Sequence, residues 1–575
     1  MAEYQNPQHE PGGERRLLLI FLVTFVVMLA FQPLLKKYLP TPPAPQQITQ
    51  PAPTAPAPSS NNISAALVPA AKPGQAPVKR AAALEETVIE NDLFKITLTN
   101  RGALAKSWTL KKFDNDSETG PLDLVNPAAA AQYGYPLSLW TYDENLTAKL
   151  NSDLYVLTRQ GNKVTFEYSD ADLQVRKTFT FDNTYVAKIE TSVVYNGNTV
   201  AALPAWPAGF GDQVTPAFYA AGLIDYQFNK NIERLPIKKI SSGATIPGPF
   251  HWAGTTDQYF AAIFIPDDPA AVSMVTLRNP LNLSPQKDPK DKINNVEVLG
   301  TAVGNLHGPT VERVFVGPKE LEVLQKTPIP GVTGADNDLN GLIDYGWWGI
   351  IAKPLFLWLK WTYKHVVANW GWAIVVQTLI ISLLLLPLRV TQMKSMLKMQ
   401  RVAPQIKSIQ EKYKKYSMRD PRKAAMNEEI SALYKKEGVN PAGGCLPMLI
   451  QLPFLFAYYR MLSTALDLRH AHWLWIKDLS AADPIYVLPI LMVISSLVTS
   501  RMTPAAGMDP AQQRMMTVMM PLMMGFIFFR LAAGLNLYYA VVNVIGIAQQ
   551  SVMNRTALGR EMREMLAKRA RKKEK

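Results

Sequence analysis

The chain has 575 residues, of which 48% are hydrophobic and only 18% are charged. Soluble domains usually carry about 25% charged residues, so this composition excludes a wholly soluble or wholly disordered protein. The net charge of +14 indicates an anionic partner such as nucleic acid, anionic lipid or the ribosome. The single cysteine excludes a disulfide framework and a cysteine-based zinc cluster, and we expect neither a metal nor a cofactor.

The first segment predicts a membrane anchor. Residues 17–35 are nearly all apolar, and they follow Arg15 and Arg16 at the end of a short N-terminus, residues 1–16. A helix of about 20 residues crosses the hydrocarbon core, so the segment is long enough to span it. A cleavable signal peptide is the alternative, but its end lacks a clear small-residue cleavage site, and we favour an uncleaved anchor.

A proline-rich linker, residues 36–83, and a β-rich domain, residues 84–335, come next. The stretch from Pro40 to Pro77 holds 11 of the 44 prolines, which is typical of an extended tether. Alternating apolar and polar residues then predict strands, of which the clearest are 95–99, 163–168, 175–181 and 185–194. Turn residues between them favour antiparallel pairing in one large all-β sandwich. We find no catalytic or metal-site spacing in this domain, although carbohydrate or peptide binding stays open.

The C-terminal part predicts a polytopic membrane domain. Residues 336–368 comprise a linker and an amphipathic helix with Lys353, Lys360 and Lys364 on one face. We place this helix at the membrane–water interface on the outer side of the membrane. Residues 369–552 form a core of five spans, at 370–388, 446–466, 485–500, 515–529 and 535–552. With the anchor, the fold class is a polytopic α-helical membrane protein of six spans with a large periplasmic all-β sandwich domain.

Charges in the loops predict the orientation. Residues 389–445, which contain a basic helical hairpin at 390–438, carry 13 basic and 5 acidic residues. Residues 551–575, which include the basic tail at 553–575, carry 9 basic and 3 acidic residues, whereas the loop at 467–484 has a net charge of −1. Positively charged loops stay in the cytoplasm, so both termini are expected there and the β domain is expected in the periplasm.

Ordered motifs over residues 340–555 resemble the YidC membrane-protein insertase family. They are Asp344-Tyr-Gly-Trp347, Asn369-Trp-Gly371, Asn440-Pro-Ala-Gly-Gly-Cys-Leu-Pro-Met-Leu-Ile-Gln-Leu-Pro-Phe454, Trp475-Ile-Lys-Asp-Leu479, Asp483-Pro484, Gly534-Leu-Asn-Leu-Tyr-Tyr539 and Gln549-Gln550. The resemblance implies a non-enzymatic insertase and chaperone of the bacterial inner membrane. Such a protein moves hydrophobic segments of nascent membrane proteins from the ribosome, or from the Sec translocon, into the lipid without a cofactor. We expect a monomer that reads no specific nucleic-acid sequence.

Polar residues inside the spans are the candidate groove residues. A charge at the centre of the lipid costs about 2.5–3.5 kcal/mol, and a polar, water-containing groove lowers that barrier for a client's polar tail. The candidates are Gln377, Ser382, Gln451, Arg460, Arg530, Asn536 and Asn543. For the uncharged candidates, a hydrogen bond between helices is the alternative interpretation.

The usual groove cation is missing from its usual place. In the family an arginine sits in the first core span, five residues before the proline of that span, and Ser382 stands there in this chain. Arg460 lies seven residues after Pro453, on nearly the same helix face, which lines the groove in the family. We therefore expect Arg460, with Arg530, to attract acidic client tails. Snorkelling of Arg530 to the outer surface is the alternative.

Six methionines at four-residue spacing predict an apolar contact surface for clients. Flexible, polarizable thioethers suit a surface that meets many different segments, and packing between spans is the alternative. With Pro453, the apolar contact candidates are Met515, Met516, Met519, Met520, Met523 and Met524.

Two other classes of function fit parts of the sequence. A transporter would suit the membrane domain, but no paired half-helix repeat is visible, and transport does not explain the basic hairpin. An envelope enzyme or a sugar-binding protein would use the β domain and keep the spans as an anchor.

Overall fold

The computed structural model describes residues 77–211, 222–228, 231–282, 295–334, 337–413, 415–416, 420–439, 446–502, 514–557, 559–561 and 564. The predicted anchor, most of the proline-rich linker and most of the basic tail lie outside these ranges. So do the side chains of Gln451 and Met516, although both residues fall within helical segments.

Nineteen strands are found among the described residues. They are β1 Glu86–Glu90, β2 Phe94–Thr99, β3 Leu104–Asp114, β4 Pro121–Asp123, β5 Ser138–Trp140, β6 Val156–Gln160, β7 Lys163–Ser169, β8 Leu173–Phe181, β9 Val186–Tyr195, β10 Asn198–Thr199, β11 Leu203–Trp206, β12 Leu223–Phe228, β13 Asn231–Pro236, β14 Ala244–Pro247, β15 Trp252–Thr256, β16 Phe260–Pro266, β17 Val272–Asn282, β18 Asn295–Asn305 and β19 Thr310–Pro318. The four strands predicted from the sequence correspond to β2, β7, β8 and β9, within two residues at each end.

The strands form three antiparallel sheets. The first has the order β1-β2-β3-β4, the second β13-β12-β15-β16-β19-β9-β8-β7-β6 with β10 on β9, and the third β14-β17-β18-β11-β5. Strand β18 of the third sheet packs against β12, β15 and β19 of the second. Along β9 every second residue is buried, namely Ala187, Ile189, Thr191 and Val193, so one face of the sheet supplies the core. The predicted antiparallel β domain is confirmed.

The prediction that this domain is all-β is wrong in one respect, because the described part of it contains three short α-helices. They are α1 Pro127–Tyr133, α2 Glu144–Ser152 and α3 Leu321–Leu324. The side chain of Asn126 accepts a hydrogen bond from the backbone N–H of Ala129 and so begins α1, and Asp143 begins α2 in the same way. These helices are too short to show a helical period in the sequence, which is why the strand pattern dominated the prediction.

Eight further α-helices follow the β domain within the described residues. They are α4 Gly349–His365, α5 Trp370–Leu384, α6 Leu386–Lys412, α7 Arg422–Lys436, α8 Leu446–Thr464, α9 Val487–Met502, α10 Met520–Phe528 and α11 Ala533–Arg555. A π-helical turn, Met515–Met519, directly precedes α10. Helix α11 packs against both α5 and α9, and α4 packs against α8. Helices α6 and α7 form the predicted basic hairpin, with Val402, Ile406 and Val439 buried between them.

The number of membrane spans stays a prediction. Of the helices in the described ranges, none has by itself both the length and the apolar composition needed to cross a bilayer. One pair, Gly346–His365 and Trp370–Leu384, meets the requirement together, but the two helices bend by 118° at the break between them. Two shorter apolar helices, Val487–Met502 and Thr517–Phe528, also occur.

Candidate functional site

Gln377 is the most connected of the polar candidates. It is fully buried on α5, donates from its Nε2 to the carbonyl of Leu355 on α4 at 2.9 Å, and accepts from the hydroxyl of Tyr458 on α8 at 2.7 Å. The Tyr458 ring stacks on that of Tyr538 on α11, with 4.0 Å between the ring centroids. Four helices therefore meet around one amide, which is the arrangement expected of hydrogen bonding between helices.

Asn536 and Asn543 lie on α11 but bond to different neighbours. Asn536 is buried and donates from Nδ2 to the carbonyls of Phe528 at 3.0 Å and Leu531 at 3.2 Å, which closes the turn between α10 and α11. Its Oδ1 is buried without a hydrogen-bond partner among the described groups. Asn543 donates to the Ser496 hydroxyl of α9 at 2.8 Å. Two polar positions two turns apart on one helix thus join separate helix pairs.

Ser382 is buried near the end of α5. Its carbonyl accepts a hydrogen bond from Nε2 of Gln549 on α11 at 3.1 Å, and Oε1 of Gln549 is buried without a partner in the part of the chain that the structure describes. The polar groups at this end of the α5–α11 contact are therefore not fully satisfied by protein. Water is the natural partner for such groups, as in a hydrated groove.

Arg389 contacts α11 three residues before Gln549, at Gly546, and the sequence analysis missed it. It is half-buried on α6, and its guanidinium rests on Gly546 of α11, where an added Cβ would lie 3.0 Å from Nη1. No carboxylate lies within ion-pairing distance of it among the described residues. Arg389 stands seven residues after Ser382, but in the sequence we counted it among the charges of the cytoplasmic loop. Only its contact with Gly546 distinguishes Arg389 from the other lysines and arginines of that loop.

The two arginines that were predicted to supply the groove charge lie elsewhere. Arg460 is four residues before the end of α8 and pairs with Asp344 of the linker, with 3.2 Å between Nη2 and Oδ2. Arg530 is exposed in the turn that follows α10. The structure brings neither of them into contact with Ser382 or Gln377, and their groove role stays a prediction.

The methionines lie mostly on an open face of the helical domain. Met519, Met520 and Met523 are exposed, while Met515 and Met524 are partly buried, and Met524 packs against the core. Pro453, the other apolar candidate, is half-buried in α8. Such an open apolar face suits either lipid or a client helix, so the client-contact role stays a prediction.

Metal ligation finds no support in the described ranges. They hold no group of three or more His, Cys, Asp or Glu side chains placed to bind a metal ion.

Comparison with known proteins decides the family. The model of a family described as "YidC periplasmic domain" matches residues 86–358, and that of the "60Kd inner membrane protein" family matches residues 361–560. A curated "Membrane protein insertase YidC" from Geobacter metallireducens is 31% identical over 570 residues, covering 95% of this chain and 99% of that protein. The chain belongs to the YidC membrane-protein insertase family.

A second curated relative agrees with this assignment. The YidC insertase of Citrifermentans bemidjiense is 32% identical over 495 residues, which cover 82% of this chain and 86% of that one. Among solved structures, one titled "Active YidC insertase crystal structure with the first transmembrane domain resolved" covers 84% of this chain and 95% of its own, at 20% identity and a TM-score of 0.33. YidC relatives are inner-membrane proteins, and the β domain of this chain is the YidC periplasmic domain.

Proposed function

We propose that the protein is an insertase and chaperone that moves hydrophobic segments of newly made proteins into the inner membrane through a polar groove between α5, α8, α9 and α11. The observation that carries the proposal is a set of polar groups within otherwise apolar helices, of which Gln377, Ser382 and Asn536 are buried and Asn543 and Gln549 are half-buried. Family membership supports the same activity.

The physical task requires no covalent step. An apolar client helix is more stable in lipid than in water, so the barrier comes from the polar tail that must cross with it. Unsatisfied buried groups such as Oε1 of Gln549 and Oδ1 of Asn536 give water a place inside the helical domain. A hydrated path shortens the distance over which the client's tail is in hydrocarbon.

The proposed topology has six spans, with both termini in the cytoplasm and the β domain in the periplasm. The net positive charge of the α6–α7 hairpin and of the C-terminal tail supports it, because positively charged loops remain in the cytoplasm. In this arrangement α4 lies in the outer interface, and the hairpin faces the ribosome, the Sec translocon and anionic lipid. We propose that the active unit is a monomer.

Arg389 is our candidate for the cation that attracts acidic clients. A half-buried guanidinium attracts a carboxylate more strongly than an exposed one, because the surrounding dielectric constant is lower. Arg460 already pairs with Asp344, and Arg530 is exposed in a turn, so both offer less uncompensated charge within the helical domain. The guanidinium of Arg389 contacts Gly546 of α11, which lies three residues, or about one helix turn, before Gln549. Gln549 in turn donates a hydrogen bond to the carbonyl of Ser382.

The first test is insertion of a single-span client into liposomes that contain only the purified protein, scored by protease protection. We expect protection above that in empty liposomes. In the same assay, Arg389→Gln should insert a client with an acidic tail about tenfold more slowly, equal to about 1.4 kcal/mol of lost attraction, and a neutral-tailed client at the normal rate.

Arg401→Gln is the matched control, because Arg401 is exposed on the same helix and pairs with Glu561. It should leave both clients unaffected. An equal loss for acidic and neutral clients in Arg389→Gln, or a larger charge-selective loss in Arg460→Gln, would reject Arg389 as the groove cation. Absence of protection with folded wild-type protein would contradict insertase activity without a translocon.

A further inference from the structure

Residues 460–469, which comprise the end of α8 and the start of the loop after it, contact other parts of the chain at four positions. The partners lie in the β domain, in the linker that follows it and in α4. This clamped segment makes the following contacts: Arg460 with Asp344 at 3.2 Å, the carbonyl of Ser463 with Nε2 of Gln258 at 2.7 Å, Asp467 with Lys360 at 3.3 Å, and Arg469 with Asp116 at 2.9 Å and with the carbonyl of Asp114 at 2.7 Å. Each contact joins two residues that are distant in the chain, so together the contacts hold the segment against other parts of the fold.

Lys360 holds the most enclosed of these contacts. Its side chain on α4 is 10% exposed, and that of Asp467 is 16% exposed. The same Nζ lies 3.4 Å from Glu322 on α3, the last helix of the β domain. One ammonium group therefore joins three parts of the chain: the end of the β domain, the amphipathic helix α4 and the loop after α8.

The enclosure makes the loss of one partner more costly here than at an exposed ion pair. Burial opposes the charged form of Lys360, but the carboxylates of Asp467 and Glu322 outweigh it and raise the pKa of Lys360 above its ordinary value. Removing one member of a buried ion pair leaves an uncompensated charge and is costly. In the Arg469–Asp116 pair only the arginine is enclosed, at 6% exposed, whereas Asp116 is 66% exposed, and the arginine has a second partner in the carbonyl of Asp114.

Helix α8 also carries Tyr458, whose hydroxyl donates to Gln377 at the centre of the polar groups. Tyr458 lies two residues before Arg460, so a shift of the end of α8 would move its hydroxyl relative to Gln377. We propose that Lys360 is a positioning residue for insertion, which holds the clamped segment to α4 and to the β domain and so keeps α8 at the edge of the polar groove. The proposal rests on the proposed insertase function.

The test uses full-length protein in liposomes and compares Lys360→Met with Lys353→Met, since Lys353 is exposed on the same helix. In Lys360→Met, amide hydrogen exchange in residues 460–469 should become about tenfold faster, and insertion should slow by a similar factor. Acidic and neutral clients should be affected alike, because positioning does not depend on the client's charge. Lys353→Met should match the wild type in both measurements.

A charge swap tests the pair itself. Asp467→Lys alone should behave like Lys360→Met. Because the carboxylate of Glu322 lies 3.4 Å from Nζ of Lys360 and would repel a glutamate at that position, the swap is completed by Lys360→Glu together with Glu322→Gln, and this triple variant should restore slow exchange and insertion, which simple loss of packing would not do. Unchanged exchange in Lys360→Met, faster exchange with normal insertion, or a folded triple variant that stays defective would each overturn the proposal. Failure of the wild type to insert any client would instead reject the proposed function.

Discussion

Deleting residues 84–318 should leave most of the insertion activity, whereas deleting residues 84–326 should reduce it by about tenfold or more. Every polar group of the proposed groove lies after residue 369, so the β sheets are not needed for the groove itself. The eight residues that distinguish the deletions include α3, whose Leu321 and Leu324 are buried and whose Glu322 binds Lys360 at 3.4 Å and Lys364 at 3.3 Å. The comparison is made by protease protection of one client in liposomes.

A third variant separates charge from packing. Deletion of residues 84–318 combined with Glu322→Gln keeps α3 but removes its carboxylate, and its activity should fall towards that of the longer deletion. Equal activity of both deletions would show that the end of the β domain is dispensable. Loss of activity in the shorter deletion would favour an envelope enzyme or binding protein that works through the β domain.

Lys177→Met should destabilise the β domain by about 4 kcal/mol, because three buried carbonyl groups would lose their donor. Lys177 is 1% exposed in β8, and its Nζ donates to the carbonyls of Gly102, Ala103 and Leu137 at 3.0, 2.7 and 2.6 Å. Gly102 and Ala103 both have positive φ angles, of 66° and 51°, so the lysine also holds a turn that is unfavourable for alanine. Pulse proteolysis of the full-length protein in urea measures the change.

The pH dependence gives this prediction a second readout. Burial lowers the pKa of Lys177 well below its ordinary value of 10.5, so the unfolded chain binds more protons between the two values. Stability contributed by this group therefore rises with pH in that window, and the rise should be absent in Lys177→Met. Lys188→Met is the control, since the side chain of Lys188 in β9 is 43% exposed and pairs with Glu190. A change of similar size in the control would contradict the role of burial.

The sequence predicted the β domain well because its information is local. In β7, β8 and β9 the alternation of apolar and polar residues follows from one face being buried, and the turn residues between the strands lie next to each other in the chain. The sequence analysis missed α1 and α2 because a helix of seven or nine residues offers too few turns for a period to appear.

The family could also be predicted from the sequence, since ordered motifs can be recognised without coordinates. The hydrogen-bond partners of the site residues could not be predicted. Gln377 and Asn536 were identified as polar, but their partners, Leu355, Tyr458 and Phe528, follow from helix packing alone. Arg389 could not be separated from the other basic residues of its loop without the contact to Gly546.

The sequence by itself determined the antiparallel strands of the β domain, the family, the apolar segments and the sign of charge on each loop, because each depends on composition or on neighbours in the chain. Only the tertiary structure decided which charges are compensated. Lys353, Lys360 and Lys364 share one predicted helix face, yet Lys360 alone is enclosed, by Asp467 and Glu322. The cost of burying a charge depends on what surrounds it in space, and those surroundings come from residues distant in the chain.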